Sequence, residues 1–193
     1  VLPDAVSDKS LTHFRPSWQD DLITKYPDTH FLTEQYTPEH LTAADLGILA
    51  HLYMDSIYVE EFWPRYFQFE DSSGKPTCVS DDIDHVKMTA ISRQSEGTII
   101  PIRDFFSNRY FYGDYNITNP LFQTDFAPVI PDIVPVSLTI SECSAFSPEM
   151  LNRDLSLFIS AEPPIQKAAT NVFPYDDLKK FIVSCADRFL YLY

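Results

Sequence analysis

Proline is the strongest constraint on this chain. There are 15 prolines against only 4 glycines in 193 residues. Proline cannot donate to a ladder or sit unpenalised inside a helix, so it marks where regular elements stop. The glycines (Gly47, Gly74, Gly97, Gly113) are isolated. A loop that cradles phosphate needs several glycines at short spacing. P-loop nucleotide hydrolysis and glycine-fingerprint dinucleotide binding are therefore disfavoured, and the G-x-S-x-G nucleophile elbow is absent.

Between the prolines, the apolar pattern changes period along the chain. Residues 1–16 hold two prolines and no apolar period, and read as an extended arm ahead of a single globular domain, 17–193. Ser17 caps an expected short helix, "WQDDLITKY", followed by a connection over 27–37. Thr37 and Pro38 then suit the start of a long helix. It is apolar nearly all round from Leu41 to Met54, as a central buried helix would be, and Pro64 ends or kinks it.

After Pro64, "RYFQFE" reads as a short strand. After the loop "DSSGKPT" the period shifts towards 2: "HVKMTAISR" and "GTIIPIRDF" read as strands joined by "RQSEG", and "RYFYGDYNI" as a third. Residues 119–135 carry Pro120, Pro128, Pro131 and Pro135 and are expected to be extended. "VPVSLTI" and "DLSLFISAE" alternate strictly and predict two more strands, with one helical turn after Ser147 between them. From Pro174 onwards Leu178, Ile182, Cys185, Ala186, Phe189 and Leu192 form one helical stripe, with Asp176 and Asp177 in the first turn. Helices, then strands, then a helix predict an α+β fold with a largely antiparallel sheet. A helix-decorated β-sandwich or jelly roll is the alternative.

The chain carries 28 acidic and 14 basic residues, a net charge of −14. Such a surface repels phosphate backbones, and no polybasic run offers itself to a membrane. A protein partner or self-association is the expectation. No run approaches 18 apolar residues. Cys78, Cys143 and Cys185 are far apart and odd in number, which fits reduced, buried thiols in a reducing compartment, cytoplasmic or inside an assembled particle. The start at Val1 and the apolar end "DRFLYLY" suggest a piece of a longer polypeptide.

Three constellations can carry chemistry. In "SDDIDHVKM", Asp81, Asp82, Asp84 and His85 crowd together, but the spacing matches no calcium loop, and a charged turn explains it. His51 and Asp55 stand one helical turn apart on one face, a pairing that can orient an imidazole for catalysis or for a metal. A satisfied polar pair explains it equally, and His30, Glu34 and His40 can converge nearby. The run "FFSNRYFYGDY" sets Phe105, Phe106, Tyr110, Phe111 and Tyr112 around Arg109, a composition typical of protein interfaces and of cores. No H-E-x-x-H or E-x-x-H appears, so no metal ligand set and no cofactor is assigned. "NIT" at Asn116 is a glycosylation sequon in form.

The leading expectation is a non-enzymatic protein-binding or assembly subunit, such as a component of a virion or other large particle. It would bind through the aromatic run and the N-terminal arm. The rival is a hydrolase using His51 with Asp55, or His85 with Asp84. A small-molecule-binding domain with an aromatic pocket is the third.

Overall fold

The computed structural model describes residues 3–6, 9–14, 27, 29–77, 88–93, 97–129, 137–160 and 169–193. The fold is α+β. Three short strands, β1 (Phe67–Glu70), β2 (Thr89–Ser92) and β3 (Ile99–Pro101), form one antiparallel sheet in the order β1-β2-β3. Phe67 lies opposite Ser92, and Ala90 opposite Ile100. The described residues thus form one sheet, not the two facing sheets of a sandwich. Around it stand α1 (Lys9–Thr12), α2 (Thr29–Gln35), α3 (Ala43–Ile57), α4 (Ile102–Phe105), α5 (Phe111–Phe126), α6 (Pro148–Ile159) and α7 (Tyr175–Leu192).

The central helix starts later than Thr37 and Pro38 suggest. Pro38–His40 is a single 3-10 turn, and Thr42 is the true N-cap. The Thr42 hydroxyl accepts from the Asp45 N–H, while Asp45 accepts from the Thr42 N–H, a reciprocal capping box. Thr37 has His40, not an acid, three residues on, so the second start signal wins. Ile48, Leu49, Leu52, Tyr53 and Ile57 of α3 are buried, as the all-round apolar pattern requires.

At its far end α3 widens into a π-turn, Tyr58–Phe62, where the Trp63 N–H reaches the Tyr58 carbonyl. Pro64, which has no N–H, follows inside a 3-10 turn. The wider turn brings Phe62 and Trp63 into the core side by side, and both are almost fully buried. Phe62 packs on Phe181 of α7 at 4.7 Å and on Phe173 at 5.1 Å between ring centroids. Phe105 of α4 closes the other side against Phe67 at 5.0 Å and Phe69 at 5.7 Å, so the sheet and the helices share one aromatic core.

Several expected strands are helices or loops. "RYFYGDYNI" enters α5, because Phe111, Tyr115, Thr118 and Phe122 recur at helical spacing and β-propensity yields to that packing. Pro120 lies inside this helix, where it removes one ladder donor, yet the helix runs on to Phe126, and 130–135 of the expected extended segment lie outside the described residues. "DLSLFISAE" lies mostly in α6, extending the turn that Ser147 was expected to cap. The Ser147 hydroxyl accepts from the Met150 N–H, and Leu151, Leu155 and Phe158 form the inward stripe. The apparent alternation of Leu155, Leu157 and Ile159 hid that stripe, and Leu157 and Ile159 face outward. Residues 137–140 of "VPVSLTI" are a loop, and the expected connection 27–37 contains α2.

The N-terminal stretch is not wholly extended either. Residues 9–12 form a helical turn, and Ala5, Val6, Thr12 and His13 are buried against the body of the same chain. "WQDDLITKY", "SDDIDHVKM" up to Lys87, the first residues of "VPVSLTI" and the middle of "RQSEG" lie outside the described residues.

α5 ends on Ala127 in the left-handed conformation (φ 43°). Only glycine adopts this readily. Ala127→Gly is therefore expected to raise stability by about 1 kcal/mol, read as a higher midpoint in urea at unchanged slope. An unchanged or lower midpoint would mean that the cap is not strained.

Candidate functional site

His51 and Asp55 of α3 do share one face, and the N-terminal stretch lies across it. His51 Nε2 is 3.2 Å from Asp55 Oδ2 and 3.3 Å from Asp4 Oδ2. His13, one residue beyond α1, brings its Nε2 to 3.5 Å from Asp55 Oδ2 and 3.7 Å from Asp4 Oδ1. The two imidazole rings meet edge to face, 5.6 Å between centroids. Asp4, His13 and His51 each offer a ligand atom within 4.8 Å of the others.

Local chemistry orients these groups. The His13 Nδ1 lies 2.9 Å from the Lys9 carbonyl, which can only accept, so Nδ1 carries the proton of that bond. In that tautomer Nε2, not Nδ1, is the ring nitrogen with a lone pair to offer. Lys9 Nζ binds Asp4 Oδ1 at 2.8 Å, leaving Oδ2 directed at His51. Burial pushes the His51 imidazole below its ordinary value, against the smaller upward pull of Asp55 and Asp4, and so favours the neutral ring. Burial alone would raise the Asp4 carboxyl, but His51 and Lys9 outweigh it and hold Asp4 low. The site is partly open: the side chains of His51, Asp4 and Asp55 are 22%, 31% and 39% exposed.

The other expected site residues fall elsewhere. His30 pairs with Glu34 along the exposed face of α2, and His40 is exposed, so neither joins the cluster. His85 and Asp84, with Asp81 and Asp82, lie outside the described residues. The aromatic run does not form one contact surface. Phe105 and Phe111 are buried, locked among Trp63, Phe67 and Phe69, because the chain folds its largest rings inward. Phe106 and Tyr110 are half-buried, while Tyr112 and Arg109 are exposed, Arg109 lying over the Tyr110 ring at 5.4 Å.

A cavity of about 10 Å³ lies among Tyr58, Asp114, Tyr115, Thr118 and Phe173, room for one water. Asp114 on its wall is engaged by the N–H groups of Asn171 (2.8 Å) and Val172 (2.8 Å), a structural role. Cys143 and Cys185 are buried thiols, pushed up to about 12 and about 11 chiefly by that burial, and inert as nucleophiles at neutral pH. In the sequon at Asn116, the Thr118 side chain is buried within α5.

Sequence spacing gave His51 and Asp55 but missed Asp4 and His13. Their positions depend on how the N-terminal stretch crosses α3, and no spacing rule connects residue 4 or 13 to residue 51. No protein-family model, curated protein or solved structure matches this chain.

Proposed function

We propose that this protein is a non-enzymatic binding module whose ligand is a divalent metal ion, held where Asp4 and His13 meet α3. The observation carrying this reading is the convergence of Asp4, His13 and His51, whose ligand atoms lie within 4.8 Å of one another. An ion there would neutralise acidic groups that the chain, at −14, has few cations to offset. It would also join two parts of the chain far apart in sequence.

The test is native mass spectrometry of protein purified without chelator, then after chelation and reloading with zinc, manganese, magnesium or calcium ions. One ion per chain, removed by chelator and regained on addition, supports the reading. A chain that takes up none of them overturns it.

Assembly with a protein partner is the second reading. Exposed Leu190 and Tyr191 at the end of α7, 75% and 93% accessible, favour it. The acidic balance points to a basic protein as that partner. The same spectra bear on this reading: a mass exceeding one chain plus its ion, shifted to the single chain by Leu190→Glu, supports it, and a lone chain as purified removes its support.

A further inference from the structure

Resting on the metal-binding reading, we propose that the ion is of the zinc class. Its protein ligands are Asp4, His13 and His51, and its fourth coordination position opens towards Asp55 and solvent. Two features of the cluster point there.

The first is donor type. Magnesium and calcium take oxygen ligands almost throughout, whereas imidazole nitrogen suits zinc and its transition-metal neighbours. Two imidazoles and one carboxylate are therefore a poor cage for the hard ions and a familiar one for zinc. The second is spacing. Donors placed tetrahedrally about 2.0–2.1 Å from one ion stand roughly 3.3–3.5 Å apart. His51 Nε2 and Asp4 Oδ2 are 3.3 Å apart, which fits, while His13 Nε2 is 3.7 Å from Asp4 Oδ1, the oxygen that Lys9 Nζ also holds. All three ligand atoms lie within 4.8 Å of one another.

The surroundings resemble a built site. Zinc-bound histidines are held by an acceptor on the far ring nitrogen, and the Lys9 carbonyl provides that to His13 Nδ1 at 2.9 Å. Lys9 Nζ fixes the Asp4 carboxylate from its other oxygen at 2.8 Å. Asp55 Oδ2, 3.2 Å from His51 Nε2, stands beside the ligand set as an acceptor for a water on the ion. The ion would fasten residues 3–6 and 9–14 to α3, so its binding would slow backbone exchange there.

Cobalt(II) reports this geometry directly, because four-coordinate cobalt absorbs strongly in the visible range and six-coordinate cobalt only faintly. The chelated whole protein would be titrated with cobalt, and the bound cobalt then displaced with zinc. A strong visible spectrum bleached by stoichiometric zinc is expected. His13→Gln and His51→Gln should each weaken zinc binding by more than about 100-fold, and Asp55→Asn by about 10-fold. Each variant's melting in chelator serves as a folding control, and the wild-type spectrum needs no variant at all.

Uptake of magnesium or calcium with only a faint cobalt spectrum would overturn the zinc assignment while the metal-binding reading stands. No uptake of any ion would overturn both. A loss in Asp55→Asn as large as in His51→Gln would make Asp55 a direct ligand and overturn the open fourth position. Exchange over residues 3–6 and 9–14 that zinc does not slow would remove the fastening role.

Discussion

Replacing Phe62 with alanine is expected to lower the unfolding free energy by about 3–5 kcal/mol. The side chain is 1% exposed and packs its ring on Tyr58, Tyr66, Phe173 and Phe181 at 4.7–5.6 Å between centroids. Those neighbours come from the π-turn, the residue before β1, the segment ahead of α7, and α7 itself. Truncation leaves a cavity that this many separately anchored rings cannot close. The loss is a large part of the roughly 5–15 kcal/mol that holds a typical domain folded. Urea unfolding of the variant beside Phe62→Leu would measure it, the leucine costing distinctly less. A loss below about 1 kcal/mol for the alanine would show that the core is not centred on this ring.

The second large effect is expected at Asp45. Its carboxylate is fully buried and accepts from the Thr42 N–H and hydroxyl at 2.9 and 2.6 Å. It also accepts from the Thr139 and Ile140 N–H groups, at 2.9 and 3.0 Å. One side chain thus caps α3 and pins the loop at 139–140. Asp45→Ala removes the carboxylate half of the capping box, while the residue-45 N–H still reaches Thr42, and it strands the buried Ile140 N–H, together about 2–4 kcal/mol.

The same residue sets an acid dependence. Burial alone would raise its pKa, but the hydrogen bonds from Thr42, Ile140 and Thr139 hold it below the ordinary aspartate value. A carboxyl whose folded value is depressed contributes its stability above the unfolded value, about 4, and loses it as pH falls through the folded value. Asp45→Asn should therefore destabilise the protein at neutral pH and flatten the fall in stability below pH about 4. Melting curves across that range would check it, and an unchanged acid slope would show that other carboxylates govern acid unfolding.

Local chemistry made some elements readable. α7 was legible because Pro174, two early aspartates and an unbroken apolar stripe all agree. β1, β2 and β3 were legible because each is a short run of apolar and aromatic residues beside turn residues. α5 and α6 were misread as strands for one reason. Alternation and helical periodicity coincide over five or six residues, and only the longer stripe through Phe122 or back to Leu151 separates them. Pro120 misled as well, since its cost inside α5 is outweighed by contacts that propensity cannot see.

The candidate site divides the same way. Backbone geometry alone places His51 and Asp55 on one face, because residues four apart on a helix are neighbours whatever surrounds them. The sequence by itself determined that pair, the mixed helix and sheet content, and the acidic balance. Only the tertiary structure decided that Asp4 and His13 join the pair, and that Phe105 and Phe111 turn inward. Both outcomes depend on contacts between residues dozens of positions apart. Such contacts are selected by packing of the whole chain, and no local spacing encodes them.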